Sequence, residues 1–173
     1  IKLYAKQRRL IHLVTDQIYE KEKNNRMMTG ILSQIVEFRN GESGLHVLHI
    51  NILTQLLLEK LMRKSENYDL SWSQQHMIAT ASALHDIGKI GIDEKILNKP
   101  GKLTKEEFEA MKQHTSIGAR MLDRLEMYHD EEMMKYAYEI CRWHHERYDG
   151  KGYPDGLKGE EIPISAQVVE LGD

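Results

Sequence analysis

The most informative stretch of this 173-residue chain is His85-Asp86-Ile87-Gly88-Lys89. A histidine and an aspartate stand side by side, at the predicted end of a helix that Gly88 and Gly91 terminate. Imidazole and carboxylate ligands without a thiolate suit a divalent metal such as Mn, Fe or Zn. Because an aspartate has two oxygens, Asp86 can bridge two ions. The pattern predicts a metal centre around this pair.

Most single histidines on helices are surface residues or packed core residues, not ligands. We place three of the nine histidines, His12, His76 and His129, in that class. His49 is ambiguous, because it lies one turn from His46 and can serve as a partner of a ligand. His46 itself lies four residues after Glu42, so both side chains point to the same side of a helix.

Potential ligands precede and follow the His-Asp pair along the chain. The full candidate set is Glu42, His46, His85, Asp86, His114, His144, His145 and Asp173. This order resembles a two-metal hydrolytic site, in which paired ions generate hydroxide and clamp a phosphoryl group. Ligand histidines usually donate their second ring proton to a carboxylate or carbonyl. Glu146, Asp149 and Glu170 are three candidates for that partner.

Several residues are candidates for contacts to a phosphate substrate. Lys89 follows the pair on a turn between two glycines, where its ammonium can bind a phosphate oxygen as negative charge grows in the transition state. Lys89 and Asp86 are the two catalytic candidates. Arg147 and Lys151 flank a glycine-rich loop and are candidate phosphate contacts. Tyr153 either forms a stiff lip against a nucleobase or packs within that loop.

Composition narrows the class of protein. With 40% hydrophobic and 29% charged residues, the chain is typical of a folded domain. The net charge of -3 argues against non-specific binding to a DNA or RNA duplex, and no apolar run is long enough to insert into a membrane. One cysteine, Cys141, excludes an internal disulfide and favours a cytoplasmic location. We expect Cys141 to be a small buried helix residue.

The chain is predicted to be all-α, since no strand-like alternation persists. All three prolines lie after residue 99. We expect helices over residues 1–39, from about Ser43 to Lys64, from Ser71 to near His85, after Thr104, from near Thr115, from about Asp130 to Glu146, and after a cap at Ser165. The pairs Ser71–Gln74 and Thr104–Glu107 have capping-box spacing.

The first helix allows two interpretations. Its apolar residues have helical spacing, but Gln17, Lys21 and Asn24 interrupt a strict heptad. It either packs on the domain, or it continues from an upstream sensor or receiver domain and pairs with a second copy of itself. We predict a linker helix over 1–29 and a helical-bundle domain over 30–173 that is apparently truncated at its C-terminus.

Three blocks in this order resemble the HD superfamily of metal-dependent phosphohydrolases, and specifically its HD-GYP branch. The blocks are His85–Ile92, Leu97–Thr104 and His144–Pro154, the last of which holds the triplet Gly152-Tyr153-Pro154. The resemblance implies an HD-domain fold and hydrolysis of cyclic di-GMP to pGpG, GMP or both. Leu48 and His49 stand where many members of the branch carry arginines.

The resemblance also implies a particular metal set. The site would hold two or three divalent ions, Fe, Mn or similar. In a purified sample Zn or Ni can take their place. The implied ligands are His46, His85, Asp86, His114, His144, His145 and Asp173, with Asp86 bridging and Glu42 as the extra ligand of three-metal members. Lys89 matches the lysine of the motif. Two alternatives stay open: hydrolysis of another cyclic dinucleotide or a nucleotide phosphate, and a non-catalytic receptor for a cyclic dinucleotide.

Overall fold

The computed structural model describes residues 2–40, 45–65 and 68–173, and these residues form helices and loops without a strand. The predicted all-α class is confirmed. The α-helices in the described ranges are α1 (Lys2–Asn40), α2 (Leu45–Lys64), α3 (Trp72–Ser82), α4 (Glu94–Leu97), α5 (Lys105–Asp123), α6 (Glu132–Trp143) and α7 (Ile164–Glu170). Short 3₁₀-helices cover Ile87–Gly91, Glu126–Tyr128 and Gly159–Glu161.

Both predicted capping boxes are present. The Ser71 hydroxyl accepts a hydrogen bond from the Gln74 amide, and the Gln74 side chain accepts one from the Ser71 amide. Thr104 and Glu107 make the same reciprocal pair at the start of α5. Each box satisfies two backbone N–H groups that a helix leaves without partners at its start.

Three expected helix boundaries were wrong. No helix begins near Thr115, because α5 runs unbroken from Lys105 to Asp123. Ser165 does not cap α7: Pro163 occupies the cap position, and the buried Ser165 hydroxyl donates to Glu139 instead. The helix expected to reach Glu146 ends at Trp143, so its two following histidines lie beyond the last full turn. The predicted start of the second helix lies outside the described residues.

The hydrophobic core lies where α2, α3, α6 and α7 meet. Its most deeply buried side chains include Ile50 and Leu58 of α2, Ile78 of α3 and Ile140 of α6. Cys141 is fully buried, as expected, and its thiol donates to the Leu84 carbonyl at 3.0 Å. Burial raises the pKa of this thiol, so Cys141 is an inert packing residue.

Helix α1 docks on the domain through its C-terminal third. Side chains before Thr29 are mostly exposed, whereas Thr29, Ser33, Val36 and Glu37 are buried. The Ser33 hydroxyl donates to the Ala83 carbonyl, directly before the His-Asp pair. The predicted boundary at residue 30 remains a prediction, but it falls where α1 begins to pack.

Arg26 makes a second contact between α1 and α3. Its guanidinium lies 2.6 Å from the Nε2 atom of His76, which stacks on Trp72. Burial, followed by the charge of Arg26, lowers the pKa of His76, so this histidine is a neutral packing residue as expected.

Taken over the described parts of the chain, no helix has the length and apolar character required to cross a bilayer.

Candidate metal centre

Side chains from five parts of the fold converge on one end of the bundle. His46 lies on α2, His85 and Asp86 follow α3, His114 lies on α5, His144 and His145 follow α6, and Asp173 follows α7. Helix ends and tight turns therefore present most of the candidate ligands, where the backbone comes close to the site. Glu42 lies outside the described residues.

The candidate ligands form two groups. In one, a ligand atom from each of His46, His85 and Asp173 lies within 4.8 Å of the others. In the second, the ligand atoms of His114, His144 and His145 meet the same limit. Each group supplies three donors, which leaves room for further ligands on an ion.

Asp86 lies between these two groups. Its Oδ2 atom is 3.3 Å from Nε2 of His85, while its Oδ1 atom is 3.3 Å from Nε2 of His114 and 3.9 Å from Nε2 of His144. Each carboxylate oxygen therefore faces one group. This arrangement agrees with the predicted bridging role.

Backbone carbonyls orient three of the imidazole rings. The Nδ1 atom of His85 lies 2.9 Å from the Ser82 carbonyl, and that of His114 lies 2.8 Å from the Met111 carbonyl. In His144 the partner is the carbonyl of α6 residue 140, at 2.8 Å. Because a carbonyl only accepts, each Nδ1 carries a proton, which leaves Nε2 as the nitrogen that can bind a metal.

None of the three carboxylates expected to orient these rings makes a hydrogen bond to one of them in the described residues. Glu146 bonds to the backbone of the glycine-rich loop, Asp149 pairs with Arg147, and Glu170 is exposed. The sequence does not show which carbonyls serve as partners, because every residue has one. The fold brings to each ring the carbonyl of the residue three or four positions earlier in the chain.

Burial and neighbouring charges give three of the ligand histidines and Asp86 the protonation states that bind metals. Burial, followed by the neighbouring histidines, lowers the pKa of His145 to about 4 and holds that of His144 well below its usual value. Burial likewise lowers the pKa of His114. Burial alone would raise the pKa of Asp86, but His85 and then Lys89 hold it well below the usual value. Neutral imidazoles and an ionised carboxylate are the forms that bind metals. His85 differs: burial alone would lower its pKa, but Asp86 and Asp173 raise it to about 10, so this imidazole must lose a proton when a metal binds.

Two buried polar atoms support a fit to a cation. Within the described ranges, Nε2 of His85 and Oδ1 of Asp86 have no hydrogen-bond partner. Leaving such atoms unsatisfied typically costs about 1–3 kcal/mol each. The donors gathered around them are nitrogen and oxygen, which suit Mn, Fe or Zn. A divalent cation would satisfy both atoms.

Lys89 reaches the same carboxylate. Its Nζ atom lies 2.6 Å from Oδ2 of Asp86, and its side chain is mostly buried. Arg147 lies instead on the surface, in a two-point pair with Asp149, and Lys151 is exposed nearby. Among the predicted phosphate contacts, Lys89 is therefore the one in direct contact with the candidate ligands.

Tyr153 packs against the ligand histidines. Its ring centroid is 4.8 Å from that of His145 and 6.5 Å from that of His114. On the other side, Phe108 contacts the ring edge and the Lys112 ammonium lies 5.4 Å from the ring centroid. The packing interpretation of Tyr153 therefore has direct support, and its contact with a nucleobase stays a prediction.

Glu146 fixes the glycine-rich loop beside the site. Its carboxylate is buried and accepts hydrogen bonds from the amides of Asp155, Gly156 and Leu157, at 2.7, 2.9 and 3.0 Å. Gly152 lies so close to the backbone of Glu146 and Arg147 that an added Cβ would be 2.3 Å from the Arg147 nitrogen. The loop is thus held directly against the residues that follow His145.

We expect Glu146→Gln to destabilise the domain by about 2–3 kcal/mol, because the amide group replaces a buried carboxylate that accepts three partly buried hydrogen bonds. Thermal unfolding measures the loss, and hydrogen exchange should quicken at the amides of residues 155–157. Glu160→Gln is the control, since Glu160 is an exposed acceptor of two tyrosine hydroxyls. Equal stability of both variants would contradict the role given to Glu146.

Comparison with known proteins identifies the family of this chain. The sequence profile of the HD domain matches residues 20–173, which include every described candidate ligand. The chain belongs to the HD domain family. The predicted resemblance to the HD-GYP branch is confirmed, because the relatives of this HD domain include cyclic di-GMP phosphodiesterases.

Three relatives illustrate the match. A cyclic di-GMP phosphodiesterase of Thermotoga maritima is 45% identical over 143 residues, covering 83% of this chain and 36% of the relative. The 3'3'-cGAMP-specific phosphodiesterase 2 of Vibrio cholerae is 38% identical, covering 82% and 25%. The cyclic di-GMP phosphodiesterase response regulator RpfG of Xanthomonas campestris is 36% identical, covering 89% and 38%. This HD domain thus spans about a quarter to two-fifths of these relatives.

We expect Mn(II) to stabilise this HD domain. At one hundred times its dissociation constant, the ion should add about 2.7 kcal/mol to the free energy of unfolding, which raises the melting temperature by roughly 5–11 °C. Differential scanning fluorimetry with and without chelator measures the shift. His46→Ala should reduce it, whereas His129→Ala should not, because His129 is exposed and belongs to neither ligand group. An unchanged melting temperature would contradict the metal assignment.

Proposed function

We propose that this HD domain is the catalytic part of a metal-dependent phosphodiesterase that hydrolyses cyclic di-GMP to pGpG, GMP or both. The observation that carries the proposal is Asp86, whose two oxygens each face a separate group of three candidate ligands. The names of the relatives, which include cyclic di-GMP phosphodiesterases, support the choice of substrate.

Each residue has a defined part in the proposed reaction. One metal position would be held by His46, His85 and Asp173, and the other by His114, His144 and His145, with Asp86 between them. Divalent ions bound there supply Lewis acidity and lower the pKa of water towards neutrality. The Lys89 ammonium, next to Asp86, stabilises negative charge that grows on a phosphate oxygen.

The number and kind of ions are part of the proposal. Two positions are supported by the two ligand groups, and Fe or Mn suits their nitrogen and oxygen donors. A third ion that uses Glu42 remains a prediction. Substrate contacts by Arg147, Lys151 and Tyr153 also remain predictions.

A second substrate has specific support. Relatives of Vibrio cholerae named 3'3'-cGAMP-specific phosphodiesterases match this chain, one of them at 38% identity. Cyclic di-GMP and 3'3'-cGAMP share the cyclic phosphodiester backbone on which the metal chemistry acts. They differ in one nucleobase, so selection between them depends on contacts away from the metals.

The deciding experiment incubates the protein anaerobically with Mn(II) or Fe(II) and either cyclic dinucleotide, followed by chromatography. Appearance of pGpG or GMP from cyclic di-GMP, abolished by chelator, supports the proposal. Faster cleavage of 3'3'-cGAMP would favour the second substrate. Nucleotide binding without cleavage by a metal-loaded sample would favour a non-catalytic receptor.

We further propose that α1 connects the domain to an upstream receiver or sensor domain in the cytoplasm and pairs with α1 of a second copy. The apolar side chains with helical spacing along α1 are all exposed: Leu3, Leu10, Val14, Ile18, Met28, Leu32 and Ile35. Light scattering after size-exclusion chromatography tests the pairing. A dimer that becomes a monomer in Leu10→Asp supports it, and a monomeric parent protein contradicts it.

A further inference from the structure

Arg39, in the last turn of α1, contacts the turn that follows the His-Asp pair. Its Nη1 atom donates to the Ile90 carbonyl at 2.6 Å and to the Lys89 carbonyl at 3.3 Å. Its Nη2 atom donates to the Ile92 carbonyl at 3.2 Å. In return, the Asn98 side chain donates to the Arg39 carbonyl at 2.9 Å. One guanidinium therefore binds three backbone carbonyls of the turn, those of Lys89, Ile90 and Ile92.

The physical reason for this contact lies at the end of the 3₁₀-helix Ile87–Gly91. The final carbonyls of a helix have no partner within it. A guanidinium is a planar cation with donors in a fixed fork, so it can satisfy several carbonyls and also set their orientation. Arg39 meets this requirement from a helix that lies about fifty residues earlier in the chain.

The same turn carries the reactive side chains. Lys89, whose carbonyl Arg39 binds, places its ammonium 2.6 Å from Asp86. The other side of the turn is pressed against α5, where Gly88 approaches the backbone of His114 and Gly118. The turn is thus held between α5 and the end of α1, and removing Arg39 frees one of the two sides.

We propose that Arg39 is a positioning residue that holds the backbone of Lys89, and with it the Lys89 ammonium, at the metal centre. Arg39 acts through Lys89, not on the substrate, and it makes the end of α1 a structural part of the site. The kinetic part of this inference rests on the proposed phosphodiesterase function, whereas the order of the turn does not.

The test compares Arg39→Ala with Arg26→Ala in the full chain. Arg26 is the matched control, because it is also an α1 arginine that binds the body of the domain, but through His76 on α3. Arg39→Lys is the conservative variant, which keeps the charge and loses the fork. The measurements are hydrogen exchange of the metal-free protein, and kcat and KM of the metal-loaded protein.

In Arg39→Ala we expect faster exchange at the amides of Lys89 and Ile92, which bond to carbonyls within the turn. We also expect kcat to fall about 10–100-fold, the usual range for loss of a residue that supports metal ligands, with a smaller change in KM. Arg39→Lys should recover part of kcat. Arg26→Ala should leave both exchange in the turn and kcat close to those of the parent protein.

A double-mutant cycle with Lys89→Ala tests the route of action. If Arg39 acts through Lys89, Arg39→Ala should lower kcat far less when Lys89 is already absent. Fully additive losses, equal losses in the Arg26 and Arg39 variants, or unchanged exchange in the turn would each overturn the inference. If the parent protein cleaves neither cyclic dinucleotide, the proposed function fails, and the exchange measurement still decides whether Arg39 orders the turn.

Discussion

Asp86→Ala should lower kcat at least about 1,000-fold, a loss of roughly 4 kcal/mol in transition-state stabilisation. The reason is that Asp86 faces both ligand groups and also contacts Lys89, so one substitution removes the shared carboxylate and the partner of the ammonium. Metal content should fall at both positions. Turnover of cyclic di-GMP and metal analysis by mass spectrometry measure the two effects.

One further variant separates the negative charge of Asp86 from its bridging position, and a second serves as a control. Asp86→Asn keeps one carbonyl oxygen and loses the negative charge, so it should retain more metal than the alanine variant. Asp69→Ala is the control, since Asp69 is an exposed carboxylate outside the site. Near-normal turnover in Asp86→Ala, with a circular dichroism spectrum like that of the parent protein, would refute the placement of the centre.

Gly88→Ala should destabilise the domain by about 3 kcal/mol, at the upper end of the range for overpacking. A Cβ atom at this position would lie 1.8 Å from the His114 carbonyl oxygen and 2.5 Å from the Gly118 nitrogen. Both are backbone atoms of α5, so the turn and the helix must move apart. That movement separates Asp86 from His114, and metal binding should weaken together with stability.

Thermal unfolding measures the effect of Gly88→Ala, with an expected fall in melting temperature of roughly 6–12 °C. Gly30→Ala is a matched control, because Gly30 lies within α1 and an added Cβ there meets no atom within 4 Å. Alanine is the better helix former, so this control should be neutral or slightly stabilising. A Gly88→Ala protein as stable as the control would show that the turn and α5 adapt without cost.

Local features of the fold were predictable from the sequence. The capping boxes at Ser71 and Thr104 depend only on residue types three positions apart, so the sequence alone contains the signal for them. Boundaries without such a signal were less predictable. The continuity of α5 through Thr115 and the start of α7 at Pro163 depend on burial against other helices, and neither is encoded in a short local motif.

The candidate site shows the same division. The kinds of ligand, and the importance of the His-Asp pair, were evident from residue types and their order. Their separation into two groups of three was not evident, because one group joins His85 to His46, far before it in the sequence, and to Asp173, far after it. Likewise, Glu146 was a candidate partner for a histidine, and only the folded loop shows that its carboxylate is used by three backbone amides.

What the sequence by itself determined is the chemistry available: helices with defined caps, nitrogen and oxygen donors without thiolates, and a lysine beside the His-Asp pair. What only the tertiary structure decided is which donors meet, and which residues hold them in place. Arg39 and the turn at Lys89 are fifty residues apart, and their contact depends on how α1 packs. Hydrogen bonds and metal coordination act over about 2–3 Å, so packing must bring distant segments together before these interactions form.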